Sequence, residues 1–305
     1  MAPRVPVVIM AFARPKSTAM VLDAVKAARP ARVIAVLDGP RPHKPGEDAL
    51  CAEVAAQFAQ SAWPCPVEVI ASPVNMGLRA RISTGLSEVF SRHDRAIIIE
   101  DDCVPHPSFF PFCEELLERY ADNPRVSAIS GNNFAGTLGG IHRDASYHFT
   151  PFPHIWGWAT WARVWQSFDA DMRWWRGRRE LFWLWRCFGD LGLALSWYHT
   201  IRNVRNGKIE SWALPFTVEQ LRAGTMAVGP EQNLVTNVGF GDGATNTTEA
   251  THPRSNIPAE AVVFPLKHPD QVAPDQQITR WTQREVFHAQ RPVTFGGVRR
   301  WLRGR

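Results

Sequence analysis

Residues 97–102 (IIIEDD) carry a fully apolar β-type stretch straight into three consecutive carboxylates, and Cys103-Val104-Pro105 then turns the chain. Adjacent acids repel one another, so a fold that gathers Glu100, Asp101 and Asp102 at a sheet end needs something to offset that repulsion. A hard divalent cation does so, since Mg²⁺ and Mn²⁺ are held by one or two carboxylates together with a ligand's phosphates. An acidic stretch also suits the N-terminus of a following helix, and these residues alone leave both readings open. Asp38, in Asp38-Gly39-Pro40, is placed to accept from the base or ribose of a nucleotide, or simply to make a turn. Residues 75–81 (NMGLRAR) open a helix with Asn75, Gly77 and two cations, Arg79 and Arg81. Backbone N–H groups there can face a diphosphate, although a solvated basic helix face has the same composition.

The elements that must position these residues alternate. Apolar runs at 6–12, 33–37, 67–70, 96–99 and 126–129 read as strands, and residues 16–28, 47–60, 77–91 and 108–120 as helices, the last capped by Ser108. Strands alternating with helices predict an α/β fold with a mostly parallel central sheet flanked by helices. In such sheets ligands bind beyond the carboxyl ends of the strands, where Arg14, Asp38, Asn75, Gly77 and Glu100–Asp102 all fall.

Beyond residue 130 the texture changes. Residues 131–140 read as a Gly/Asn-rich loop, and ten of the thirteen tryptophans lie within 156–212. Two short β-like runs lie within 225–240, and 241–260 reads as a Gly/Thr/Asn/Pro-rich loop or linker. The tail ends in Val298-Arg299-Arg300-Trp301-Leu302-Arg303-Gly304-Arg305, a basic stretch that can rest on an anionic membrane or be merely solvated. This divides the chain into one catalytic domain at 1–250, with halves 1–130 and 131–250, and a C-terminal extension at 251–305.

Composition narrows the function classes. At 305 residues, with 45% hydrophobic and 21% charged side chains, the chain can bury a substantial core. No apolar run approaches the roughly 20 residues of a membrane helix, and residues 5–12 lack the flanks of a signal peptide, so a cytoplasmic location is expected. Five cysteines without a C-x-x-C pair give neither a disulfide framework nor a zinc site. No P-loop, G-x-G-x-x-G or G-x-S-x-G occurs, which argues against NTPases, dinucleotide enzymes and serine hydrolases. The net charge of +5 suits an anionic ligand or membrane surface, or a merely soluble basic protein, and no nucleic-acid partner is expected.

The order of Phe12-x-Arg14-Pro15, Asp38-Gly39, Asn75-x-Gly77 with Arg81, and Glu100-Asp101-Asp102 with Pro107, Phe109 and Phe110 resembles the GT-A glycosyltransferases. These use a nucleotide-diphospho-sugar and a "DxD" metal motif. The likeness is to the N-acetylglucosaminyltransferase I group and related bacterial enzymes. Residues 154–161 (HIWGWATW) are similar to its acceptor-side segment, and 233–241 (NLVTNVGFG) to a further bacterial motif. The resemblance implies that Arg14 and Asp38 contact base and ribose, and that Arg81, or Arg79, meets the diphosphate. Asp102 would ligate Mn²⁺ or Mg²⁺, Asp101 and Glu100 would face ribose and sugar, and Trp156 and Trp158 would pack near donor and acceptor. It further implies a UDP- or GDP-linked donor, a bacterial surface glycan or lipid-linked acceptor, and inversion; the basic tail, where it rests on a membrane, gives peripheral contact with the inner membrane.

One departure concerns the base. Members of the group carry an acid directly after the tryptophan of a later motif, whereas residues 209–214 (IESWAL) have Ala213 there. Either Glu210 or Glu219 supplies the carboxylate, or the mechanism differs, or activity is lost. The alternatives are therefore an inactive nucleotide-sugar or glycan-binding module, and a sugar-phosphate nucleotidyltransferase. The latter class normally has a Gly-rich basic loop after strand one, which residues 11–15 (AFARP) do not supply.

Overall fold

The computed structural model describes residues 4–240 and 253–287. Chain order begins β1 (Val7–Ala11), α1 (Pro15–Ala28), β2 (Val33–Leu37), α2 (Glu47–Ala56), β3 (Val67–Ala71), α3 (Leu78–Phe90) and β4 (Arg95–Glu100). It continues with β5 (Cys103–Pro105), α4 (Phe109–Arg119), β6 (Val126–Ser130), α5 (Phe134–Gly139), β7 (Tyr147–Thr150), β8 (Trp158–Trp161) and α6 (Ala162–Trp165). The remainder is α7 (Arg178–Phe188), α8 (Leu191–Arg205), α9 (Ala213–Ala223), β9 (Met226–Pro230), β10 (Val235–Asn237) and α10 (Gln276–Trp281).

Eight strands form one sheet in the order β3-β2-β1-β4-β8-β6-β9-β7, and β5 pairs with β10 in a small antiparallel ribbon. The four strands from β3 to β4 are parallel, as are β6 and β9, giving the expected α/β fold with a mostly parallel central sheet. β1 and β2 are buried along their whole length, which is why they read as unbroken apolar runs. β8 and β7 run against their neighbours. Because β1 has β2 on one side and β4 on the other, the crossovers leave in opposite directions there and open a crevice at the carboxyl ends of both strands.

Three local expectations are corrected. The 47–60 helix stops at Ala56, where the Trp63 indole takes the carbonyl of Gln57 at 3.0 Å, and Gln60–Ala62 forms a separate 3-10 turn. Residues 131–140 are not all loop: Asn133 caps α5, its side chain accepting from the Gly136 N–H at 2.9 Å. Ser108 precedes α4 without capping it. Its backbone is helical, and its hydroxyl instead pairs with His106 Nδ1 at 2.8 Å and accepts from the Val262 N–H at 3.1 Å.

The main core surrounds the large sheet, and Val262 and Leu266 join it, so residues well past 253 pack on the body. A second cluster, built on α7 and α8 with Phe152, Met172, Trp175 and Val218, absorbs much of the tryptophan-rich segment. No helix among the described residues is long and apolar enough to cross a membrane. Residues 241–252 of the expected linker and the basic tail at 298–305 lie outside the described residues.

Candidate functional site

A cleft of about 510 Å³ opens at the carboxyl ends of β1, β2 and β4. Its walls bring together Arg14, Asp38, Asn75, Gly77, Arg81, Glu100, Asp101, Asp102, Trp156 and Glu210 from six separate stretches of chain.

The acids come directly off β4, and their charge is met by Arg14. Its guanidinium donates to Asp102 Oδ2 at 2.9 Å and to Asp101 Oδ1 at 3.2 Å, and the Phe12 N–H donates to Asp101 Oδ2 at 2.9 Å. Ala13, between them, adopts φ 48°, a left-handed conformation that alanine takes at a cost of about 1 kcal/mol. The strained turn thus joins the ends of β1 and β4 across the crevice. One guanidinium does not neutralise three carboxylates. Burial, and then the neighbouring acids, push the Glu100 and Asp101 carboxyls well above the usual range, and Glu100 Oε1 is buried without a partner.

That surplus bears on a metal. No group of three His, Cys, Asp or Glu side chains among the described residues is arranged as a complete cage. A cage is not what Mg²⁺ or Mn²⁺ needs when phosphates supply the other ligands. An unpartnered buried carboxylate oxygen beside Asp102 is the right donor chemistry, so the cluster fits such an ion.

The ribbon of β5 and β10 positions Asp102 from the other side. The Val238 N–H donates to the Asp102 carbonyl at 2.8 Å, and the Asn237 side chain accepts from the Gly239 N–H at 2.8 Å. Gly239 is packed so closely that a β-carbon there would lie 2.1 Å from Asp102 Oδ2.

Asp38 holds the loop opposite. It accepts from the N–H groups of Gly39 (3.0 Å), Met76 (2.9 Å) and Gly77 (3.2 Å) and from Asn75 Nδ2 (3.1 Å). These four donors match the roughly four lone-pair sites of a carboxylate, so Asp38 locks the β2 loop to the entrance of α3. Burial pushes its pKa up against those hydrogen bonds. Arg81, on the first turns of α3, is buried; it donates to the Ile70 carbonyl at 2.5 Å, and its Nε has no partner. Burial lowers its pKa and nearby Asp38 raises it. An anion in the cleft would complete its hydrogen bonding.

Glu210 approaches the same helix start. Its carboxylate accepts weakly from the Arg79 N–H at 3.4 Å, and Gly77 leaves it room, since a β-carbon there would lie 2.7 Å from Glu210 Oε1. It therefore sits at the positive end of α3, where a phosphate would also be favoured. The aromatic wall is Trp156, edge-on to Phe134 and Phe240, with Trp212 below it stacked on Trp158 at 5.5 Å.

Three expected residues are not brought to the cleft. Trp158 is 1% exposed on β8, packed among Trp165, Trp212 and Phe216. Arg79 points towards Asp171 at 3.9 Å. Glu219, on the buried face of α9, accepts from the Trp174 indole and from Arg222, and burial pushes its pKa up.

Other wall residues went unread. Arg41, Lys44 and Glu47 line the cleft, with Arg41 bonded to Glu47 and holding that carboxyl down at about 2. The signal was present, since they follow β2 within ten residues of Asp38. Asn237, Gly239 and Phe240, from the motif at 233–241, also line the cleft, and the sequence pattern alone assigns them no role there.

No family model matches the sequence, and no curated protein sequence matches it. Among solved structures, the chain is similar to the mannosyltransferase PcManGT from Pyrobaculum calidifontis in complex with GDP-Man and Mn²⁺. That match has 12% identity and a TM-score of 0.39, over 73% of this chain and 69% of the other. A second is glucosyl-3-phosphoglycerate synthase from Mycobacterium tuberculosis in complex with Mn²⁺, UDP-glucose and glycerol 3-phosphate. It has 14% identity and a TM-score of 0.31, over 54% of this chain and 59% of the other. HddC from Yersinia pseudotuberculosis complexed with GMP-PN gives 10% and 0.34, over 54% and 80%. These are partial overlaps at low identity, and the chemistry of the cleft has to be read from its own residues.

Proposed function

We propose that the chain is a metal-dependent glycosyltransferase that moves a sugar from a UDP- or GDP-linked donor to a glycan or lipid-linked acceptor. The observation that supports this most is the meeting, across the β1/β4 crevice, of a surplus of buried carboxylates with Arg14, facing the incompletely bonded Arg81. A ligand that is anionic and brings its own cation satisfies both at once, and a nucleoside diphosphate with Mn²⁺ or Mg²⁺ is such a ligand.

In this reading Asp102, with Glu100 alongside, holds the ion, which when bound supplies Lewis-acid stabilisation of the leaving diphosphate. Arg81, at the start of α3, takes phosphate oxygens. Asn75 and Gly77, fixed by Asp38, shape the nucleoside end, and Trp156 offers an indole for the donor sugar or acceptor. Glu210 is the base that draws the proton from the acceptor hydroxyl, in the inverting course that likeness to the N-acetylglucosaminyltransferase I group implies.

One observation favours a second reading. Ala213 lines the cleft where an acid is expected, and Glu210 is engaged at the start of α3. A module that binds a nucleotide-sugar without transferring it would look the same. Calorimetry with UDP- and GDP-sugars, with and without Mn²⁺, followed by donor hydrolysis, separates the two. Mn²⁺-dependent binding with turnover supports transfer, binding without turnover on any donor supports the module, and no binding removes both.

A further inference from the structure

The helical part of the chain carries a face that the cleft does not use. α7 and α8 bury Leu184, Phe188, Leu193, Trp197 and Ile201 between themselves and their neighbours. The outward side of α7 is nonetheless apolar as well. Phe182 is 57% exposed and Trp185 45%, their rings 5.8 Å apart, and Leu191 at the start of α8 is 51% exposed. Phe182, Trp185 and Arg186 fall at i, i+3 and i+4, with Arg179 one turn earlier, so apolar and cationic side chains share one stripe.

Charge is concentrated here too. Residues 173–208 contain eight basic and two acidic side chains, a net +6 against +5 for the entire chain. Arg179, Arg186, Arg202, Arg205 and Lys208 are exposed. Of the two acids, Glu180 is buried and accepts from the Arg176 N–H, and Asp190 caps α8.

We propose that this face docks on an anionic lipid bilayer, with Phe182, Trp185 and Leu191 entering the headgroup boundary and the arginines facing lipid phosphates. Large apolar side chains gain by leaving water, and long cations flank them without being buried, which is the pattern of a helix lying in a membrane interface. A second copy of the chain does not fit, because pairing would oppose two strongly positive faces. A nucleic acid would answer the charge but offers no apolar phase to Leu191 and the rings. α8 ends at Arg205, and Glu210, Ser211 and Trp212 already wall the cleft, so docking would hold the cleft beside the bilayer. The docking does not depend on the proposed chemistry, and its test reads lipid binding alone.

The test is co-sedimentation of the full chain with phosphatidylcholine vesicles, with and without phosphatidylglycerol. Binding is expected only with phosphatidylglycerol, and high salt should weaken it. Phe182→Ser/Trp185→Ser should lower the partition coefficient by about tenfold or more with an unchanged thermal midpoint, since both side chains are exposed. Arg179→Gln/Arg186→Gln leaves the apolar stripe intact and should lower binding by roughly fivefold per charge. That second variant decides the matter if the first fails to fold. Wild-type-like binding by both variants, equal binding to neutral vesicles, or no binding at all would each overturn the proposal.

Discussion

A β-carbon at Gly239 would lie 2.1 Å from Asp102 Oδ2, so the turn after β10 and the last acid after β4 are packed to the limit that glycine allows. Gly239→Ala must therefore push the Asp102 carboxylate aside or lift the turn. Because Asp102 is the proposed ion holder, Mn²⁺-dependent binding of a nucleotide-sugar should fall at least tenfold, which calorimetry reads directly. Unchanged affinity would mean that the position of Asp102 does not matter to the ligand.

Asp102 also raises the charge burden on Glu100 and Asp101. Asp102→Asn keeps the shape and removes one of three crowded charges, at the expense of the ion pair to Arg14. The two effects oppose each other, so stability should stay within about 1 kcal/mol of wild type or rise, while Mn²⁺-dependent binding is lost. Denaturant midpoints and calorimetry on the same variant test both halves. A large destabilisation would show that the cluster is held for the fold rather than for a ligand.

Arg14 gives the converse case. Arg14→Gln leaves three acids without their nearest cation, and the half-buried pair it breaks should cost about 1–3 kcal/mol. If the acids bind a divalent ion, millimolar Mn²⁺ should return part of that loss in a urea titration. A midpoint indifferent to Mn²⁺ in this variant would count against the metal assignment.

The first four strands were legible because each is a short apolar run that stops at a polar or turn-forming residue, and the crevice follows from alternation alone. Asp38, Glu100–Asp102 and the start of α3 were found that way. β7 (YHFT) and β8 (WATW) were not read, since their mixed composition gives no apolar run and their antiparallel insertion is set by tertiary pairing. That is also why Trp158 looked like a ligand residue. A tryptophan's type says that it packs well, and only the register of β8 says that it packs inward. Arg14 is expected at base and ribose and lines the cleft, but its partners across the sheet, Asp101 and Asp102, are 87 and 88 residues away, and no local pattern carries such a pairing.

His148 makes the fold itself acid-sensitive. It is 6% exposed on β7, its Nδ1 has no partner, and burial lowers its pKa to about 4. In the unfolded chain an ordinary histidine takes its proton near pH 6.5. Between those values the unfolded state binds the proton and the fold does not, so the stability tied to His148 is full above about pH 6.5 and falls as the pH drops towards 4. Below that both states are protonated and the loss levels off, at up to about 3 kcal/mol. His154, lowered by burial to about 3, acts in the same direction and the raised Glu100 and Asp101 in the opposite one, so the test is a difference. In urea titrations wild type should lose stability relative to His148→Gln as the pH drops from about 6.5 towards 4. A variant with the wild-type slope would place the acid sensitivity elsewhere.

Glu210 can be tested without disturbing its place at α3. Glu210→Gln retains an acceptor for the Arg79 N–H but cannot take a proton. A lost general base lowers turnover by about a hundredfold or more, while donor binding, which does not use the proton, should change less than about threefold. Donor hydrolysis and transfer should fall together, because water and the acceptor hydroxyl lose the same base. Should both survive, the base is not Glu210; should affinity collapse instead, its carboxylate serves to shape the entrance of α3 rather than to move a proton.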